Sequence, residues 1–133
     1  MSDLLLDTHV FIWYTSNDPR LDDSTRHQID DPKSNVYVSI ASSWEIAIKL
    51  GLGKLYLAMP IEDLLNVTVH GLELLNITRG DVISYSQLNF PLMDHRDPFD
   101  RMLAVQAREH NLLLVTADVV FKAYLSTNLH LVP

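Results

Sequence analysis

The chain has 133 residues, 47% of them hydrophobic, with 17 acidic and 10 basic side chains, six histidines and no cysteine. Length and apolar share suit one domain, residues 1–133, around one core. A net charge of −7 argues against nucleic-acid binding through a broad basic surface, and the missing cysteines exclude a disulfide framework, a thiolate metal site and a cysteine nucleophile.

In chain order, Leu4-Leu5-Leu6 reads as a short buried strand that ends at Asp7-Thr8, and the apolar run from His9 to Tyr14 as one or two helical turns. Residues 22–29 form a short polar helix that stops before Asp31-Pro32. Val36-Tyr37-Val38-Ser39-Ile40 is β-branched and aromatic, hence a strand. Ser42-x-x-Glu45 matches a capping box, which opens a helix closed by Gly51 and Gly53. Residues 60–70 read as one amphipathic helix stopped by Gly71, and 72–77 as a strand. Thr78-x-x-Asp81 starts a further helix, and residues 89–96 form a loop. Asp97 is placed to cap a helix over 98–109, with Pro98 at the first position and Asp100 at the third. Residues 111–116 are a buried strand that runs into Asp118, 119–125 a short helix and 129–132 a terminal strand.

Alternating strands and helices, with strands that are continuously apolar, imply an α/β fold: a mostly parallel central sheet covered by helices on both faces. The amino end has no basic stretch before its short apolar run, and no apolar run is long enough to span a bilayer. A soluble, cytoplasmic protein is expected.

Ligands of such sheets sit at the carboxyl ends of the strands. Asp7, Glu45 and Asp118 each follow a strand, and Asp100 lies in the first turn of a helix that can face the same crevice. Taken singly, each acid has an ordinary explanation as a helix cap, worth about 1 kcal/mol. Taken together they conflict. Two carboxylates about 4 Å apart repel by roughly 1 kcal/mol in water and about 4 kcal/mol at an effective dielectric near 20. If the four converge, a bound cation or raised pKa values must compensate, and an oxygen-only donor set favours Mg²⁺ or Mn²⁺.

The remaining candidates are weaker. None of the histidines shows ligand spacing on a helix, although His95 stands beside the acid motif. Lys49, Lys54, Arg96 and Arg101 flank the acids and could meet a phosphate backbone. Thr8, Ser42, Ser43 and Thr116 could orient a carboxylate, and Trp13 and Trp44 are expected in the core. There is no glycine-rich phosphate loop, no G-x-S-x-G elbow and no H-E-x-x-H. His9 stands where an aspartyl-phosphate phosphatase would carry its second aspartate, and the paired acids of a receiver domain are missing.

Four stretches in register carry a family resemblance: Leu4-Leu5-Leu6-Asp7-Thr8-His9, residues 39–49 with Ser42 and Glu45, Arg96-Asp97-Pro98-Phe99-Asp100-Arg101, and Leu114-Val115-Thr116-Ala117-Asp118. Together they resemble PIN-domain proteins, and more narrowly the VapC-like toxins of bacterial type II toxin–antitoxin pairs. The resemblance implies a PIN-like three-layer α/β domain and a Mg²⁺- or Mn²⁺-dependent endoribonuclease, dimeric and neutralised by a cognate antitoxin. It implies Asp7, Glu45 and Asp100 as the central catalytic and metal-holding acids, Asp118 as the more variable fourth, and Asp97 as a supporting residue or simply the cap. The other readings are a PIN-like scaffold that binds RNA or protein without turnover, and a small metal-dependent phosphatase. Phe90-Pro91-Leu92-Met93 and the 61–69 segment are candidate docking or dimer surfaces.

Overall fold

The computed structural model describes residues 3–88 and 97–133. Five short strands, β1 (Leu4–Leu6), β2 (Val36–Ser39), β3 (Glu73–Leu75), β4 (Leu113–Thr116) and β5 (Leu129–Leu131), form one sheet in the order β3-β2-β1-β4-β5. All four pairings are parallel, with Leu5 opposite Tyr37 on one side and Leu114 on the other. The mostly parallel sheet expected from the sequence is thus wholly parallel across the described strands.

β1 is central and buried along its whole length, which is why its sequence is three leucines without alternation. Its side chains divide the core. Leu4 and Leu6, with Val36, Val38 and Val115, join one cluster with Val10 and Phe11 of α1 (Thr8–Thr15), Ile29 of α2 (Asp23–Asp30) and Ile46 of α3 (Ile40–Gly51). Leu5 and Leu114 join the other with Leu103, Ala104 and Ala107 of α6 (Pro98–Glu109) and with Phe121 and Leu125. Each buried leucine contributes about 1.5–3 kcal/mol, so the two clusters hold the helical layers on either face. No helix among the described residues is long and apolar enough to cross a membrane.

Three expectations need correction. The strand at 36–40 ends at Ser39, and α3 begins at Ile40, before the expected capping box. Ser39 is the N-cap, its Oγ accepting from Ala41 N–H at 3.0 Å and donating to Gln106 Oε1. Ser42 and Glu45 therefore sit inside the helix. The 60–70 segment is not one helix but a short turn, α4 (Ile61–Leu64), and a 3-10 turn at Val67–His70, closed by Gly71 with φ +78°. Val67, Thr68 and Val69 are a β-branched run that resists helix, and the Thr68 hydroxyl bonds the Asn66 side chain at 3.2 Å instead. The segment after Asp118 is likewise a 3-10 turn, Val119–Ala123.

The capping box at Thr78 holds as read: it opens α5 (Arg79–Ser86), with Asp81 N–H donating to Thr78 Oγ1 and Thr78 N–H to Asp81 Oδ2. Asp97 caps α6, its Oδ1 accepting from Phe99 and Asp100 N–H, with Pro98 at the start. The 89–96 loop, with Phe90-Pro91-Leu92-Met93, His95 and Arg96, lies outside the described residues.

Candidate functional site

The chain runs from β1 outward to β2 and β3 on one side and to β4 and β5 on the other. Connections leaving β1 and β4 diverge, opening a crevice at their carboxyl ends, the favoured ligand position in parallel sheets. Asp7 stands at the end of β1 and Asp118 two residues beyond β4. Thr116, the last residue of β4, donates its hydroxyl to Asp7 Oδ2 and accepts from Asp118 N–H at 3.0 Å, linking the two acids through one side chain. Asp7 Oδ1 caps α1 by accepting from Val10 N–H at 2.8 Å.

Glu45 enters from α3. With helix capping assigned to Ser39, the capping explanation for Glu45 falls away, and its carboxylate instead lies buried, 4% exposed. Thr8 donates to its Oε1 at 2.6 Å and Lys49, one turn along the helix, to its Oε2 at 2.6 Å. The Thr8 hydroxyl is also 3.0 Å from Ser42 Oγ, whereas Ser43 Oγ is buried with no hydrogen-bond partner among the described residues. The inward face of α3 thus carries Ser42, Ser43 and Glu45, while Ile40, Trp44, Ile48 and Leu52 face outward. Trp44 corrects the core expectation: it is 62% exposed and meets Phe99 edge-on at 5.3 Å. Hydrophobic periodicity misleads here because the buried face of the helix mixes Ala41 and Ile46 with the polar Ser42, Ser43 and Glu45.

Asp100, at the third position of α6, joins the group through its electrostatics. Burial pushes its carboxyl up to about 7, and the charges of Asp97, Glu45, Asp118 and Asp7 add to the rise. The other three expected acids and Asp97 thus all act on Asp100. Asp7 is raised as well, chiefly by burial and also by Glu45, against the bonds from Thr116 and Val10 and the nearby His9. Lys49 is raised by its bond to Glu45, with Asp97 and Asp100 contributing, so the ammonium partly offsets the clustered charge.

Among the described residues, no three acidic or histidine side chains already stand in metal-ligand geometry. Their bonds explain why: Asp7 is held by Val10 and Thr116, Glu45 by Thr8 and Lys49, and Asp118 by Val120 N–H. Each carboxylate keeps spare acceptor sites. The oxygen-only donor set and the repulsion that Asp100 meets from its acidic neighbours fit a hard divalent cation. Of the basic candidates, Lys49 is engaged in the site, Lys54 is exposed in the turn after α3 and Arg101 is partly buried on α6.

A second, buried network that no local sequence signal marks fixes these helices. Gln106 of α6 accepts from Ser39 through Oε1 and donates through Nε2 to Asp81 Oδ2 at 3.2 Å and Asn76 O at 3.3 Å. His110 Nε2 lies 2.8 Å from Asp81 Oδ1. The carboxyl end of β2, α5 and α6 are thereby tied together beneath the site.

The family model for the PIN domain matches residues 4–124. The ribonuclease VapC22 of Mycobacterium tuberculosis (strain ATCC 25618 / H37Rv) is 27% identical over 118 residues, covering 89% of this chain and 88% of that protein. The fold matches VapBC2 from Rickettsia felis, solved bound to a DNA fragment from its promoter, with TM-score 0.68, 19% identity and 96% of each chain covered. It also matches DNA-bound VapBC from Salmonella typhimurium, with TM-score 0.63, 22% identity, and 92% of this chain and 91% of that one covered.

Proposed function

The chain belongs to the PIN domain family, and from that premise we propose that it is a divalent-metal-dependent endoribonuclease, the toxin of a type II toxin–antitoxin pair. The observation that carries the reading is the lifting of Asp100 to about 7 by burial and the charges of Asp97, Glu45, Asp118 and Asp7. Asp7, Glu45, Asp100 and Asp118 would hold the ion, Mg²⁺ or Mn²⁺ by the hardness of their oxygen donors. When bound, the cation supplies activation of water and neutralisation of charge on the phosphodiester.

The chain's own residues do the rest. Thr116 and Thr8 fix the carboxylates of Asp7 and Glu45, so the site is held in position before the ion arrives. Lys49, held on Glu45, places a positive charge at the crevice where an RNA phosphate approaches an otherwise acidic surface.

Partners follow from the same reading. The relatives solved as VapBC complexes support a cognate antitoxin protein as partner. The outward stripe Ile40, Trp44, Ile48 and Leu52 supports a homodimer, since an uncharged apolar patch lets two chains of net charge −7 meet with little repulsion. An apolar groove of about 220 Å³ between α3, α5 and α6, lined by Trp44, Val82, Tyr85, Phe99 and Met102, continues that face.

The test is cleavage of a mixed cellular RNA pool by the purified protein with Mg²⁺, Mn²⁺ or EDTA, beside Asp7→Asn and Asp100→Asn. Cutting that needs metal and is lost in both variants, each still folded by circular dichroism, is expected. Cutting that survives both substitutions contradicts the assignment. A protein that binds RNA and metal without turnover is instead a binding module, and one that hydrolyses phosphomonoesters alone is a phosphatase.

A further inference from the structure

Beside Asp7 the crevice widens into a cleft of about 430 Å³, lined by Asp7, His9, Trp13, Arg20, Asp118 and Val119. One edge is therefore two of the four acids. The other wall is aromatic and cationic. His9 and Trp13 lie one turn apart on α1 with ring centroids 6.2 Å apart, and the Arg20 guanidinium stands 5.0 Å from the Trp13 ring centroid.

Arg20 is 68% exposed by side chain, yet held in place. Its Nε and a terminal nitrogen bond the two carboxylate oxygens of Asp18 at 3.1 and 2.8 Å, and Asp18 N–H is anchored on Trp13 O at 2.9 Å. A surface arginine normally loses side-chain freedom when it binds a ligand, and this one has already lost it.

A ligand that suits both walls needs a flat apolar face for the rings and an anion for Arg20, next to a phosphodiester held at the acids. A cationic peptide would suit the carboxylates but offers no anion to Arg20. A nucleotide meets every condition, since bases stack on aromatic rings and guanidinium planes while phosphates pair with arginine. We propose that this cleft is a nucleobase subsite: it takes one base of the RNA flanking the scissile phosphate, against His9 and Trp13 with the neighbouring phosphate on Arg20, and so selects the nucleotide beside the cut. The inference rests on the ribonuclease reading and adds to it the residues that choose the site of cleavage.

Two arms test it. The chain has two tryptophans, so Trp44→Phe leaves Trp13 as sole reporter. In that background, made inactive with Asp100→Asn, single-stranded octamers of A, C or U titrated with Mg²⁺ present are expected to change Trp13 emission saturably and with unequal affinity. In the second arm, His9→Ala and Arg20→Ala, both exposed and outside the core, are compared with wild type by sequencing the ends of cut RNA. Both variants are expected to keep the wild-type melting temperature, to cut more slowly while still requiring metal, to lose preference for the nucleotide beside the cut, and to bind the preferred octamer about 5- to 150-fold more weakly, the range for losing one base stack. Trp13 emission unmoved by every octamer, or an unchanged flanking preference in both variants, overturns the proposal. Wild type that cuts no RNA while Trp13 still reports octamer binding contradicts the ribonuclease reading and leaves the subsite standing.

Discussion

Asp100 is where the ordinary role of a residue and its chemical role separate. As the third residue of α6 it belongs at the positive helix end, which favours a carboxylate. Burial and four neighbouring acids nevertheless lift it to about 7. Burial, with the repulsion added to it, therefore outweighs the helix's pull. An acid raised above its unfolded value near 3.8 costs folding stability as pH rises from there through about 7, and the full cost is present above that range. Asp100→Asn should accordingly melt higher than wild type at pH 8 in EDTA, by about 1–2 kcal/mol after allowance for solvent screening, and equally at pH 3.5. Mg²⁺ should reverse the order at pH 8 by stabilising wild type alone, which thermal melts at the two pH values will show. Asp97→Asn separates cap from charge: it keeps the cap and lowers the Asp100 midpoint, readable by carboxyl NMR titration of the metal-free protein.

At the scale of elements, the Ser39–Gln106–Asp81–His110 network ties the carboxyl end of β2 to α5 and α6, the last of which carries Asp100. Burial works against the Asp81 carboxylate, yet the bonds from Thr78 N–H, Gln106 and His110 hold it below the usual carboxylate range. Its contribution is present above the unfolded value and is lost as pH falls through the folded one. Gln106→Met, similar in volume, leaves Ser39 and Asp81 without that partner and should cost about 2–3 kcal/mol in urea unfolding. RNA cleavage should fall with it, because α3 and α6 lose their common anchor. These features differ in how far they could be read from sequence. Asp97-Pro98-x-Asp100 and Thr78-x-x-Asp81 are local signals, and both helix starts stand as read. Gln106 bonds residues 67 and 25 positions away, and nothing in its neighbourhood in sequence points to either. The start of α3 was misplaced because Ser42 and Glu45 imitate a cap while Ser39, sharing strand and helix, performs it.

For the whole molecule, the parallel sheet and both helical layers were legible because three buried leucines and the apolar strands on either side leave no exposed face. The order of strands was not legible from periodicity, and it is the order that opens the crevice between the ends of β1 and β4. Helix α3 shows the same limit. Its outward face carries the apolar Ile40, Trp44, Ile48 and Leu52, so the inward face can bring Ser42, Ser43 and Glu45 to the site and the outward face can meet a second copy. Sedimentation equilibrium should give a dimer mass for the wild type and a monomer for Leu52→Glu, whose position is 62% exposed and which should fold normally. The most direct measurement of the central claim, that Asp7, Glu45, Asp100 and Asp118 form one cation site, is titration of the metal-free protein with Mn²⁺, free ion followed by electron paramagnetic resonance. Saturable binding that weakens by at least tenfold in each of Asp7→Asn, Glu45→Gln and Asp100→Asn, and to a lesser degree in Asp118→Asn, is the predicted result. Binding that is absent in wild type, or indifferent to these substitutions, would contradict it.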